Sequence, residues 1–174
     1  MRNAVFLGFA LLLLLIEANT YRVVGPFGLH GFTPSAVLPL VIFLGVHEAS
    51  MARGALLAFA MGHAVDLFAS APTWLFTFVY VALWWLARVA GVRLAAQTVP
   101  TQMALAVGFA LVESLVVLVL IVVFGADPQR PRELATIVLP HAVATALVAP
   151  IVFRIAERLQ QTVAGATRPS EAAR

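Results

Sequence analysis

Gly54-Ala55-Leu56-Leu57-Ala58-Phe59-Ala60-Met61-Gly62-His63-Ala64-Val65-Asp66-Leu67 places one imidazole and one carboxylate in an otherwise apolar run. The run is continuous rather than alternating, so it reads as a helix and not as a half-buried strand. Gly54, Ala58, Gly62 and Asp66 recur every four residues, which draws small side chains into a slowly drifting stripe that ends in a carboxylate. In lipid, apolar side chains give helices no net attraction, and small residues at this spacing let backbones approach closely. Gly and Ala are also common in any membrane helix, so the stripe reads either as a packing and partner face or as background. His63 and Asp66, three apart, can touch on the same helix.

Outward from this stretch the whole chain has the same character. It is 62% hydrophobic and 11% charged, with a mean hydropathy of +0.99. A soluble domain usually carries about 25% charge and 45–50% apolar residues. A helix needs roughly 20 residues to cross about 30 Å of hydrocarbon. Spans are expected at Asn3–Thr20, Pro34–Glu48, Gly54–Ala71, Thr73–Val89, Pro100–Phe124 and Leu134–Ile155. The expected fold is therefore all-α, a polytopic membrane protein with about six transmembrane helices. Residues 1–159 form the membrane domain, and residues 160–174, polar and small, a disordered cytoplasmic tail. The short second to fourth spans also read as two longer ones. The apolar loop Gly25–Phe32 is expected to dip into the interface, and strands would leave backbone groups unpaired in lipid.

Eight of the 11 arginines, Arg2, Arg53, Arg88, Arg93, Arg154, Arg158, Arg168 and Arg174, fall on one side of this arrangement. Only Arg22, Arg130 and Arg132 fall on the other. The positive-inside rule then places both termini in the cytoplasm, as an even number of spans requires. Val5–Ile16 behind Arg2 resembles a secretory signal, but Glu17-Ala18-Asn19-Thr20 is a poor cleavage site. Cysteine is absent, which removes disulfides and thiolate metal sites. The net charge of +3 lies dispersed at helix ends, with no basic stripe for nucleic acid. Trp74, Tyr80, Trp84 and Trp85 bracket the fourth span, and Trp74 and Trp84-Trp85 are expected to mark its two interfaces.

A small polar set remains at membrane depth: Glu17, His63, Asp66, Glu113 and His141, with His47 and Glu48 near the cytoplasmic end of the second span. Glu113, between Leu111-Val112 and Leu115–Leu118, is expected to face other helices and to be protonated or hydrogen-bonded. These residues read either as interhelical glue or as a substrate or proton path. In the sixth span His141, Thr145 and Ala149 recur at spacing four between Pro140 and Pro150. Those prolines are expected to kink the helix or to free carbonyls that the Thr145 hydroxyl can satisfy.

Enzyme signatures are missing from the sequence. His47-Glu48-Ala49-Ser50-Met51 opens like a zinc-protease motif but lacks the second His. Asp66 has no second intramembrane Asp to share a proton with. No nucleophile elbow or phosphate-binding Gly loop occurs, and Ser50, Ser70 and Ser114 have no base fixed by spacing. No catalytic residue, metal site or cofactor is expected.

Arg53–Leu67, with its Gly, an aromatic, then Gly and Asp four apart, and Leu139-Pro140-His141-Ala142-Val143-Ala144-Thr145-Ala146-Leu147-Val148-Ala149-Pro150, followed by the basic exit Arg154 to Arg158, together resemble the bacterial rod shape-determining protein family MreD. Length, span number, the Pro34–Leu40 run and the Arg-rich tail are similar over nearly the whole chain. Thr145 stands where the family often has Asn, and His63 where an aliphatic residue is usual. The resemblance implies a non-enzymatic inner-membrane scaffold of the cell-wall elongation machinery. It would associate with the bitopic protein MreC and link MreB filaments to a RodA-type glycosyltransferase and its transpeptidase. The family is similar in fold to the substrate-binding subunits of vitamin-uptake transporters. The alternative is thus a solute-binding transporter subunit whose pocket draws on Glu17, His63, Asp66, Glu113 and His141.

Overall fold

Backbone groups in lipid have no water to bond, so continuous apolar runs satisfy their own N–H and C=O groups as helices. The structure, a computed structural model, describes residues 2–24, 32–48, 50–68, 74–90, 98–124 and 130–166. Within them lie six helices: α1 (Arg2–Val24), α2 (Val37–His47), α3 (Met51–Phe68), α4 (Leu75–Val89), α5 (Val99–Phe124) and α6 (Arg130–Ala166). No strand occurs among the described residues. The helix count is the expected one, but the lengths divide the set. Four stretches, Asn3–Thr20, Met51–Phe68, Val99–Val123 and Thr136–Val163, are long and apolar enough to cross a membrane. The 11 residues of α2 and the 15 of α4 fall short of the roughly 20 that a helix alone needs.

The shortest helix is the centre of the molecule. Residues Val37–Val46 of α2 are all buried, and α2 touches each of the other five helices. Its sequence, VLPLVIFLGVH, is apolar on every side, which suits a helix surrounded by others rather than one facing lipid. Phe43 anchors it, stacked on Phe6 of α1 and edge-on to Phe153 of α6. Gly45 lets it lie against α4, because a Cβ there would stand 2.8 Å from the Ala87 Cβ and 2.9 Å from the Trp84 carbonyl oxygen.

The small-residue stripe of α3 also faces α4. Gly54, Ala58 and Gly62 are buried. A Cβ on Gly62 would come within 2.6 Å of Thr77 Cα and 2.7 Å of the Phe76 carbonyl oxygen, and one on Gly54 within 2.7 Å of the Trp84 ring. The stripe is therefore a helix-packing face closed within this chain. That corrects the expectation of a partner surface there, since small side chains drew in the next helix of the same chain. Trp84 is corrected with it: at 2% exposure it is a core residue, whereas Trp74 and Trp85 remain exposed.

α6 continues unbroken through Pro140 and Pro150, and on to Ala166, so the expected kinks do not end it. Residues 160–166 are helical rather than part of a disordered tail. Glu157, Arg158, Leu159, Gln160 and Gln161 are good helix formers, and the Thr162 hydroxyl donates to the Arg158 carbonyl at 2.9 Å. Residues 167–174 and most of the Gly25–Phe32 loop lie outside the described residues.

At the end of the bundle where α2 meets α3, Glu48 collects two of the eight arginines that the charge count had put on one side. The Arg88 guanidinium donates to the Glu48 carbonyl oxygen at 2.6 Å, and Arg53 lies 3.7 Å from its carboxylate. His47 instead stacks on Phe43 of its own helix, with ring centroids 4.3 Å apart.

Candidate functional site

Two helices in this fold begin without an acceptor of their own. The N-cap of α4 is Trp74, held at a left-handed φ of 73°, and its side chain makes no capping bond. Asp66 of α3 supplies what is missing. One carboxylate oxygen accepts the Phe76 N–H at 2.8 Å, and the other accepts the Thr77 N–H at 2.9 Å and the Thr77 hydroxyl at 2.6 Å. A carboxylate at a helix N-terminus is also favoured by the helix dipole. Both oxygens are thus engaged, which makes Asp66 the lock of the α3–α4 joint. His63 turns elsewhere, stacked beside Phe59 and Trp74 in a three-ring cluster, with centroids 6.3 and 5.0 Å away. The expected contact between His63 and Asp66 is replaced by these two separate attachments.

The second such start is that of α2. Its N-cap, Ala36, has no side chain able to cap it, and the preceding residues 32–35 are not helical. Pro39 in the first turn has no N–H to satisfy, but Ser35 and Ala36 do. Non-helical backbone at membrane depth is tolerated only where protein or a polar cavity satisfies it. Three helices provide that. Glu17 of α1 accepts the Ala36 N–H at 3.0 Å, and the Thr145 hydroxyl oxygen of α6 accepts the Ser35 N–H at 3.0 Å. His141 Nδ1 donates to the Thr33 carbonyl at 2.6 Å, and the hydroxyls of Ser35 and Tyr80 of α4 meet at 3.2 Å. Thr145 thus serves the lead-in to α2, not the carbonyls freed by the prolines of α6.

Glu113 of α5 completes the group from the far side. Its Oε2 stands 3.8 Å from His141 Nε2, too far for a hydrogen bond. Glu113 is 4% exposed, and that oxygen has no hydrogen-bond partner among the described residues. A cavity of about 270 Å³ opens beside it, lined at its polar end by Glu17, Ser35, Tyr80, Glu113, Ser114 and His141. Side chains of α3 to α6 make the rest of the wall apolar.

Of the polar residues picked out from sequence, Glu17, Glu113, His141 and Thr145 come together, whereas His63 and Asp66 stand apart at the α3–α4 joint. Ser35 and Tyr80 were not foreseen. Thr33-Pro34-Ser35 ahead of an apolar run was a helix-start signal for the first. Tyr80 gave no signal, because a tyrosine flanked by tryptophans reads as an interfacial side chain. Among the described residues no group of three or more His, Asp or Glu is placed to hold a metal ion. The Ser35 hydroxyl is paired with a phenol rather than with a base. No protein-family model, no curated protein and no solved structure matches the chain.

Proposed function

We propose that this chain is a non-enzymatic scaffold of the MreD kind in the bacterial inner membrane, a part of the cell-wall elongation machinery. One observation carries the reading. Three polar residues of the two motif segments bond this chain's own backbone, Asp66 to the first turn of α4, and His141 and Thr145 to residues 33–35. Such residues hold a shape and perform no reaction. In this reading the chain crosses the membrane six times with both termini in the cytoplasm. An MreC-like bitopic protein is the proposed direct partner, with a RodA-type glycosyltransferase, a transpeptidase and MreB beyond it. Because α4 covers the Gly54–Ala58–Gly62 face, that partner would dock on another helix.

Depleting the protein from a rod-shaped host should round the cells without creating a nutritional requirement. Co-purification should recover a membrane protein with one span and a periplasmic domain. Reporters fused after Arg53 or Arg93 should read as cytoplasmic, and those after Arg22 or Pro131 as periplasmic. Rescue of depleted cells by an added small solute, with no membrane partner recovered, would overturn the scaffold reading. The second reading, a solute-binding transporter subunit, is favoured by the cavity beside Glu113, which a purely structural core does not need.

A further inference from the structure

We propose that the cavity bounded by α1 and α3 to α6 binds a small molecule bearing a primary ammonium group on an apolar body, with the ammonium in the cavity donating to both Glu113 Oε2 and His141 Nε2. The Thr33 carbonyl can only accept, so the His141 Nδ1 that lies 2.6 Å from it carries a proton. In a neutral imidazole the other nitrogen, Nε2, is then an acceptor. It faces the carboxylate oxygen of Glu113 at 3.8 Å, and that oxygen is buried without a hydrogen-bond partner among the described residues. With Glu113 ionised and His141 neutral, two acceptors face each other with no donor between them. An ammonium group has three N–H donors and the charge that a carboxylate favours. Glu17 adds a second carboxylate to the lining, Ser35 and Ser114 add hydroxyls, and no arginine is part of it among the described residues. Val65, Phe76, Val117, Leu118, Ile137 and Val138 offer the remaining wall to an apolar body. At about 270 Å³ the space suits a small ligand, just under the range of roughly 300–1,000 Å³ typical of drug-sized ones.

This site does not rest on the scaffold reading; co-purification tests that one and titration tests this one. The full chain in phosphatidylcholine nanodiscs is titrated calorimetrically with 2-phenylethylamine, with the neutral 2-phenylethanol and the anionic 3-phenylpropanoate as controls. Saturable binding of the amine alone is expected. Glu113→Gln should weaken it on the order of 30-fold or more, because a buried charge partner is lost. The same variant should unfold no more easily than the parent, since the Gln amide can donate to His141 Nε2. Ser114→Leu, which fills the cavity without touching a charge, should abolish binding as well. Repeating the titration in phosphatidylethanolamine nanodiscs separates two sources of the ammonium. Competition assigns the site to a lipid headgroup, its absence to a free amine, and either result upholds the ammonium site. No saturable binding, equal binding by Glu113→Gln, or equal binding of 2-phenylethanol or 3-phenylpropanoate would overturn the proposal.

Discussion

Asp66 and Glu113 are both carboxylates on long apolar helices, yet their surroundings differ completely. Asp66 sits at a closed joint: both oxygens accept hydrogen bonds from the start of α4, and Gly62 one turn earlier brings the two backbones together. Glu113 stands beside a cavity, and one of its oxygens has no hydrogen-bond partner among the described residues. A polar side chain inside a membrane protein is therefore not one kind of object. Where its acceptors are filled by backbone it acts as a cap that happens to come from another helix. Where they stay open it keeps the capacity to bind something else.

The largest expected effect is at the closed joint. Gly62→Leu would drive a side chain into the Thr77 backbone, which cannot yield as a flexible side chain could. Loss of folded protein is expected, measured as yield of monodisperse material from detergent. Gly62→Ala should still cost about 1–3 kcal/mol as overpacking. Normal yield and unfolding temperature for Gly62→Leu would show that α3 and α4 are not packed as described.

Asp66→Ala comes next. It leaves the N–H groups of Phe76 and Thr77 without acceptors, and a loss of about 2–3 kcal/mol is expected in reversible unfolding. Asp66→Asn retains one acceptor and should lose about half as much. If Asp66→Asn instead abolished the proposed cell-shape function while stability and assembly stayed normal, ion or proton chemistry would replace capping as the role of this residue.

Thr145→Val tests the lead-in to α2 at constant size. It removes the acceptor of a fully buried Ser35 N–H and should cost about 1–3 kcal/mol. Hydrogen exchange should show the loss at residues 35–38 before it reaches α5. Uniform loss across all helices would mean that the lead-in does not open as a local unit.

The smallest effect is the sharpest contrast. Glu113→Gln makes the same chemical change as Asp66→Asn but should leave thermal unfolding unmoved or raised, because no hydrogen bond to its Oε2 among the described residues is lost. A destabilisation equal to that of Asp66→Asn would erase the distinction between the two regions.

Much of this arrangement was legible in the residues. The unbroken apolar runs announced helices, and the run of Gly54, Ala58, Gly62 and Asp66 announced a close contact ending in a polar attachment. Other features were hidden for stated reasons. Trp84 and Tyr80 read as interfacial because aromatic residues favour that depth, and only packing against Gly54 and Ser35 makes them interior. Gly45, lying in a segment whose bulky apolar residues all look alike, gave no sign of facing Ala87. The helical continuation to Ala166 was masked by polar composition, although the residues after Ile155 have good helix propensity.

By itself the sequence determined the properties that belong to one helix at a time: an apolar environment, helical runs, six of them, and which residues share a face. Those follow from the 3.6-residue turn and from the need to bond every backbone group in lipid. Tertiary structure alone decided who meets each face. The Ser35 N–H finds its acceptor on Thr145, 110 positions away, and no periodicity carries information over that separation. It also decided that Asp66 caps α4 while Glu113 faces a cavity, because a side chain's partners depend on which backbones approach it.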